Sequence, residues 1–227
     1  NRIVDIDRDN LVAVAEPGVI TGDFQKAVEA YGLFYPPDPA SKEFSTLGGN
    51  VAECAGGPRC VKYGVTKDYI LGLEVVTPTG DIIQTGGRTL KNVVGYDLTK
   101  LFVGSEGTLG VMTEIQLQLH PIPDVIKAAV CCFESLEGAV NAVILAIQSG
   151  IPMARIELLN SLQMDACIRY SKLQGFAVKP TLFLEFHGSN AYVQEQIDAL
   201  QVITQDFGGS DYRWAETTEA RSELWQA

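Results

Sequence analysis

The stretch Pro36–Gly64, PPDPASKEFSTLGGNVAECAGGPRCVKYG, decides how this chain is interpreted. It holds two glycine pairs, Gly48-Gly49 and Gly56-Gly57, in a segment too apolar for a disordered linker. A connection of this length without a function is uncommon inside a compact domain. Because glycine has no side chain and accepts positive φ, successive N–H groups here could converge on an anion such as a pyrophosphate. A turn-rich structural loop is the alternative.

A second glycine-rich segment, GYDLTKLFVGSEGTLG, runs over residues 95–110. Its last three glycines, Gly104, Gly107 and Gly110, follow the spacing G-x-x-G-x-x-G rather than the G-x-G-x-x-G of the Rossmann fingerprint. Neither the P-loop pattern nor the hydrolase pattern G-x-S-x-G occurs in the sequence. Glu106 is either a solvated turn residue or an acceptor of hydrogen bonds from a sugar or base, and the residues alone leave both readings open.

Charge and composition narrow the classes of function. The chain of 227 residues has 28 acidic against 17 basic side chains and a net charge of −11, which argues against nucleic-acid binding and against docking on an anionic membrane. No apolar run approaches the roughly 20 residues that span a bilayer, so we expect a soluble chain. The 5 cysteines form no C-x-x-C pair and are interpreted as buried, reduced thiols. The 2 histidines are too isolated to predict a structural zinc site.

The first half of the chain is dense in short β-rich runs, and it ends at a seam, Pro121-Ile122-Pro123. Strands are expected at Val12–Ala15 and on both sides of a Pro-Thr-Gly-Asp turn that begins at Pro78. Thr21 is expected to cap a helix. Strands that follow one another through turns predict a largely antiparallel sheet with a few helices.

In the second half, strands alternate with amphipathic helices in the order βαβαβαβ, followed by the start of another helix. This order predicts a ferredoxin-like α/β sandwich. The fold class is therefore α+β, with one domain over residues 1–123 and another over residues 124–227.

Taken in order, the series PPDPAS, TLGGNVAECAGGPRCVKYGVTKDYILGLEVV and GGRTLKNVVGYDLTKLFVGSEGTLG closely resembles the FAD-binding domain of the vanillyl-alcohol-oxidase (PCMH-type) flavoproteins. Within that superfamily it is similar to glycolate oxidase flavin subunits and D-lactate dehydrogenases. ARIELLN, PTLFLEFHGSN, DFGGSDYRWAE and RSELWQA resemble the cap domain of the D-lactate dehydrogenase members. The resemblance covers nearly the whole chain. It implies the second subdomain of a PCMH-type FAD-binding domain, followed by an incomplete substrate cap.

The resemblance also implies noncovalent FAD. Residues of the first glycine segment would form a wall along the pyrophosphate and the flavin ring, and residues 106–111 would close around the adenosine end. The implied cofactor-binding residues are Pro37, Asp38, Leu47, Gly48, Gly49, Asn50, Ala55, Gly56, Gly57, Tyr63, Gly64, Glu106, Gly107, Gly110 and Val111. Cys54 replaces an asparagine common in relatives, so an amide is lost there. Covalent flavin linkage through Cys54 or Cys60 is an alternative.

The implied reaction is oxidation of a small D-2-hydroxy acid, D-lactate or glycolate, by hydride transfer to the flavin. Electrons would pass to a quinone, a cytochrome or a flavoprotein. The family's G-G-G-T-N-like loop and its H-x-G-D-G-N-x-H-like metal segment are absent from this sequence. We therefore expect a fragment that is inactive by itself, and we assign it no catalytic residue and no metal ligand. Any divalent metal of the full-length protein would be bound outside this chain.

Two other functions fit the same residues. The chain could belong to a non-catalytic FAD-binding subunit of a glycolate oxidase complex, which would have companion subunits. It could also belong to a carbohydrate oxidase of the same fold, although such enzymes normally show a histidine or cysteine for covalent flavin linkage. The expected location is cytoplasmic, with peripheral membrane association through the electron acceptor as a variant.

Overall fold

The computed structural model describes residues 1–89, 91–172 and 174–225. The chain divides into two compact units, Asn1–Ile122 and Pro123–Ala227. In the described residues of the first unit the elements are β1 (Ile3–Asp7), β2 (Val12–Ala15), α1 (Thr21–Glu29), β3 (Leu33–Phe34), α2 (Leu47–Glu53), α3 (Cys60–Tyr63), a 3₁₀ turn (Thr66–Asp68), β4 (Ile70–Val76), β5 (Ile82–Gly86), α4 (Leu98–Phe102), β6 (Val111–Gln118) and β7 (His120–Pro121).

The first unit is built on a five-stranded sheet of order β1-β2-β6-β4-β5, in which every neighbouring pair is antiparallel. The predicted antiparallel sheet is therefore confirmed. Strands β4 and β5 pair from Val76 opposite Ile82, which closes the expected turn, and Gly80 adopts a φ of 87° there. Helix α1 packs on the sheet because Phe24 and Val28 lie one helical turn apart and are fully buried.

One local expectation in this unit is wrong. The N-cap of α1 is Ile20, not Thr21. The Thr21 hydroxyl instead donates to the Ser45 carbonyl at 3.1 Å and accepts from Asn50 Nδ2 at 2.6 Å, so it joins α1 to α2. The first glycine segment contains two short helices, α2 and α3, which the sequence did not predict.

In the second unit the elements are β8 (Val125–Phe133), α5 (Leu136–Gln148), β9 (Arg155–Leu159), α6 (Ser161–Ser171), β10 (Thr181–Gly188), α7 (Asn190–Asp206), β11 (Gly209–Ala215) and α8 (Thr218–Leu224). The sheet order is β11-β8-β10-β9, and all neighbours are antiparallel. Numbered within the unit, these are strands 4-1-3-2, and α6 is inserted between the second and the third strand. The βαβαβαβ order predicted from the sequence is confirmed.

The two faces of this second sheet differ. We call the face that carries Leu182, Leu184 and Phe186 the helix face, because these side chains are fully buried in one apolar cluster with residues of α5 and α7. The residues between them in β10 point to the opposite face, which we call the cap face. There Phe183 packs with Val130 and with Met164 of α6.

All 5 cysteines are free thiols. Cys131 and Cys132 lie in β8 and are buried, as expected, because the strand is covered on both faces. The expectation of burial is wrong for Cys54, Cys60 and Cys167, which are only partly buried.

None of the helices in the described residues is long and apolar enough to cross a bilayer.

Candidate functional site: the glycine wall of the first unit

We call the predicted cofactor-binding residues of the first unit the glycine wall. Its first glycine pair, Gly48-Gly49, lies in the first turn of α2. Thr46 caps this helix through a bond from the Gly49 N–H to Thr46 Oγ1 (3.1 Å), and the Gly48 N–H donates to the Pro17 carbonyl at 2.8 Å. Both amides are therefore used inside the protein. The prediction that they converge on an anion is wrong. A Cβ on Gly48 would lie 2.5 Å from Pro17 Cβ, so glycine is required here for close packing of the chain.

The two glycines of the second pair, Gly56 and Gly57, have different roles. The Gly57 N–H donates to Cys60 Sγ at 2.9 Å, and a Cβ on Gly57 would lie 2.5 Å from the Asp38 carbonyl oxygen. Gly57 thus permits close approach of the proline-rich segment. The Gly56 N–H makes no hydrogen bond with any described residue, so it is the amide of the two pairs that stays available for a ligand.

Pro37 and Asp38 are buried and are held by neighbouring side chains. Gln25 Nε2 donates to the carbonyls of Tyr35 (3.1 Å) and Pro37 (2.8 Å). Asp38 accepts from the Arg59 N–H at 3.2 Å and forms an ion pair with Arg59 Nε at 3.5 Å. Sequence reasoning missed Gln25 and Arg59. Their contacts with Pro37 and Asp38 join residues 12 and 21 positions apart, so no sequence spacing pointed to them.

Leu47 and Asn50 orient α2. Leu47 is buried, and its N–H donates to the Val19 carbonyl at 2.8 Å. Asn50 is buried as well, and its amide nitrogen is bonded to Thr21. These two predicted residues therefore position the helix.

The second glycine segment meets the C-terminal end of α2. The Gly104 N–H donates to the Val51 carbonyl and the Glu106 N–H to the Ala52 carbonyl, both at 2.9 Å. These bonds satisfy carbonyl groups that the end of a helix leaves open. The structure thus brings the two predicted groups of residues together at one end of α2. Ala55 is part of the same junction, because its N–H donates to the Asn50 carbonyl at 2.8 Å.

Of the residues that follow Gly104, Glu106 and Gly107 are open to a ligand. Glu106 adopts a φ of 54°, which is uncommon for a residue other than glycine, and it is exposed. Gly107 adopts a φ of 72°, and a Cβ there would meet no atom within 4 Å. The buried Ser105 hydroxyl has no hydrogen-bond partner among the described residues. Gly110 is required for packing, because a Cβ would lie 2.6 Å from Val75 Cγ1, and Val111 is exposed.

Tyr63 lies in a cluster of aromatic rings. Its ring centroid is 5.7 Å from that of Phe34 and 6.0 Å from that of His120, and the Tyr69 hydroxyl donates to its carbonyl at 2.7 Å. Partial burial lowers the pKa of His120. Gly64, next in the chain, adopts a φ of 79° and adjoins the Asp68 side chain.

The polar groups that remain available fit a dinucleotide cofactor. The Gly56 N–H can donate to a phosphate or ribitol oxygen, and the exposed Glu106 carboxylate can accept from a sugar hydroxyl. A separate polar cavity of about 400 Å³ opens beside β4 and β5 and is lined by Lys67, Gln84 and Lys100 among others. None of the predicted cofactor residues lines this cavity. In the described residues no three His, Cys, Asp or Glu side chains are grouped as metal ligands would be.

Comparison with known families agrees with this arrangement. Residues 1–86 match the FAD binding domain family, and residues 122–227 match the C-terminal domain of the FAD linked oxidases. The chain belongs to the FAD-linked oxidases. Its cofactor is FAD, as the sequence predicted.

Relatives of this FAD-linked oxidase chain match it from end to end. It is 42% identical to a probable mitochondrial D-lactate dehydrogenase of Danio rerio, a match that covers 100% of this chain and 46% of the relative. It is also 42% identical to the glycolate oxidase subunit GlcD of Bacillus subtilis, with 100% of this chain and 48% of the relative covered. The chain thus spans about half the length of the curated relatives it matches.

A solved structure of p-cresol methylhydroxylase, bound to its substrate, has the same fold. It superposes with a TM-score of 0.79 at 18% identity, over 100% of this chain and 50% of that one. The predicted PCMH-type fold is therefore confirmed.

Proposed function

We propose that the protein containing this chain oxidises a small D-2-hydroxy acid, D-lactate or glycolate, to the 2-oxo acid with FAD as the hydride acceptor. The observation that carries this proposal is the 42% identity, across the whole chain, to both a D-lactate dehydrogenase and a glycolate oxidase subunit. Electrons would then leave to a quinone, a cytochrome or a flavoprotein.

The two domains would divide this work. Residues 1–123 would supply the second part of the FAD-binding domain, and residues 124–227 would supply part of the substrate cap. Bound FAD supplies the redox chemistry, while the protein binds and orients it. Among the predicted cofactor-binding residues, Gly56, Glu106 and Gly107 would contact the cofactor directly. Leu47, Gly48, Gly49, Asn50 and Gly57 would hold α2 and its neighbours in place.

The Cys60 thiol, close to Gly57, supports noncovalent binding. Covalent attachment through a cysteine requires a reactive thiolate. Partial burial raises the pKa of Cys60, although the hydrogen bond from the Gly57 N–H partly opposes this effect. The thiol form is therefore favoured at neutral pH.

A dye-reduction assay tests the proposal. The FAD-loaded protein is mixed with D-lactate, glycolate or L-lactate and an artificial electron acceptor, and the 2-oxo acid is quantified. We expect turnover with D-lactate or glycolate and little with L-lactate. A flavin-containing preparation that turns over neither acid would reject the proposal.

One observation bears on the alternative of a non-catalytic subunit: the chain is 42% identical to a protein named as a subunit of glycolate oxidase, and a subunit can depend on companion proteins for turnover. Such a protein would retain FAD and show no turnover alone. Turnover restored by adding companion proteins would place this chain in a multi-subunit complex.

A further inference from the structure

A buried ion pair lies beside the second glycine pair. Asp38 Oδ2 is 3.5 Å from Arg59 Nε, and the side chains of Asp38 and Arg59 are 4% and 16% exposed. Asp38 Oδ1 accepts from the Arg59 backbone N–H at 3.2 Å. Because both carboxylate oxygens contact the same residue, the pair joins the proline-rich segment to the turn that carries Gly56 and Gly57.

The Asp38 carboxylate lies close to the amide that stays available for the cofactor. A Cβ on Gly57 would be 2.6 Å from Asp38 Oδ1, so this oxygen lies against the Gly57 backbone. Gly57 directly follows Gly56, whose N–H makes no hydrogen bond with any described residue. A negative charge therefore stands one residue away from the amide that we expect to donate to FAD.

This charge would oppose binding of FAD if it were not compensated. The pyrophosphate makes FAD an anion, and like charges repel strongly where little water screens them. A buried carboxylate that loses its cation keeps its full charge or takes up a proton, and either change is costly. The cation beside Asp38 thus bears directly on the affinity for FAD.

Arg59 is held where it can supply this compensation. Its Cζ lies 4.9 Å from the centroid of the Phe34 ring, and Phe34 is buried. Stacking on a fixed ring and pairing with a fixed carboxylate both restrict the guanidinium. The same residue therefore anchors the turn through its backbone N–H and balances the charge of Asp38 through its side chain.

We infer that Arg59 is a positioning residue of the FAD site, which neutralises the Asp38 carboxylate and holds it away from the role of a competing anion beside Gly56. The inference concerns binding of FAD alone and does not depend on which acid the protein oxidises.

Two other roles of Arg59 give different results in the same variants. If Arg59 contacted FAD itself, affinity would be lost whenever the arginine is absent, with or without Asp38. If the pair served stability alone, removal of either partner would lower the affinity for FAD together with the free energy of unfolding.

Titration of the FAD-free protein with FAD, followed by flavin absorbance and fluorescence, tests the inference. The variants are R59Q, D38N, the double variant D38N/R59Q and the conservative R59K. The matched control is K26Q, which also removes one positive charge but from an exposed pair with Glu43 (3.5 Å). Urea denaturation of the FAD-free variants gives their stability separately.

We expect R59Q to bind FAD about 10- to 100-fold more weakly than the wild type, because the carboxylate is left without its cation. D38N should bind FAD about 3- to 10-fold more tightly, because the positive charge of Arg59 is then uncompensated. D38N/R59Q should recover the affinity to within about 3-fold of the wild type, and R59K and K26Q should stay within the same range.

The opposite signs of the two single variants are the decisive result. Weaker binding by D38N than by the wild type, D38N/R59Q as weak as R59Q, or wild-type affinity in R59Q would each overturn the inference. Should R59Q fail to fold, D38N and D38N/R59Q still decide, because neither leaves a carboxylate without its cation.

The outcome is separable from that of the proposed function. Variants that bind FAD as expected in a protein that oxidises neither acid would sink the proposed function alone. A protein that oxidises D-lactate while D38N binds FAD more weakly would sink this inference alone.

Discussion

The two units use polar groups in different ways. In the first unit, most polar groups of the glycine wall form hydrogen bonds within the protein. The N–H groups of Gly48 and Gly49 donate to neighbouring residues, and the Asn50 side chain is bonded to Thr21. In the second unit Arg155 and Glu185 form a buried ion pair (3.3 Å) on the cap face, beside the apolar side chains of Val130 and Phe183. Polar residues of the first unit should therefore matter for stability, and the charged pair of the second should not.

The largest effect should come from the helix face of the second sheet. Phe186→Ala removes a fully buried ring and should lower the free energy of unfolding by about 3–5 kcal/mol. The matched control is Phe44→Ala, because Phe44 is 85% exposed, and it should change stability by less than about 0.5 kcal/mol. Urea denaturation followed by circular dichroism measures both. Equal losses in the two variants would contradict the assignment of the core.

The next effect concerns the glycine wall. Gly57→Ala forces a Cβ against the backbone of Asp38 and should destabilise the first unit by about 1–3 kcal/mol. Gly87→Ala is the control, since a Cβ there meets no atom within 4 Å. Thermal unfolding measures both variants. Equal melting temperatures for Gly57→Ala and Gly87→Ala would contradict the packing role of Gly57.

A smaller effect is expected from the charged pair. Replacement of the pair together with the histidine bonded to it, R155M/E185M/H187L, should leave the free energy of unfolding within about 1 kcal/mol of the wild type or raise it, because apolar side chains can replace a buried polar cluster when no partner is left unsatisfied. Chemical denaturation monitored by tryptophan fluorescence gives the value. A loss as large as that of Phe186→Ala would remove the contrast between the two units.

The smallest effect is a pH dependence in the first unit. Because burial lowers the pKa of His120 in the folded state, the unfolded chain binds the proton more readily. Stability should therefore fall as the pH drops below the ordinary histidine pKa of about 6.5. Urea midpoints at several pH values should show this slope in the wild type and a weaker slope in His120→Gln. The same slope in both proteins would assign the effect to other groups.

Much of the fold could be predicted because local signals agreed with the tertiary structure. The Pro-Thr-Gly-Asp turn sets the β4–β5 hairpin, and alternating strand and helix patterns give the order of the second unit. Helix α2 was missed because Gly48 and Gly49 each cost a helix about 1 kcal/mol and mask its pattern. The Thr46 cap and the burial of Leu47 and Val51 compensate, and none of these contacts is visible in sequence spacing.

The candidate site was predictable only in part for a related reason. A glycine that lets a ligand approach and a glycine that lets another chain segment approach look the same in a sequence. Gly57 packs on Asp38, 19 positions earlier, whereas Gly107 faces open space. The charged cluster on the cap face was not predicted, because its residues are distant in sequence and only strand pairing brings Arg155 to Glu185.

Anaerobic reduction of the bound flavin tests the central claim most directly, because it follows the first half of the proposed reaction without any electron acceptor. The FAD-loaded protein is mixed with D-lactate or glycolate in the absence of oxygen, and the flavin absorbance is recorded. The account predicts that one of these acids bleaches the flavin and that a stoichiometric amount of 2-oxo acid appears. A flavin that dithionite bleaches but neither acid reduces would contradict it.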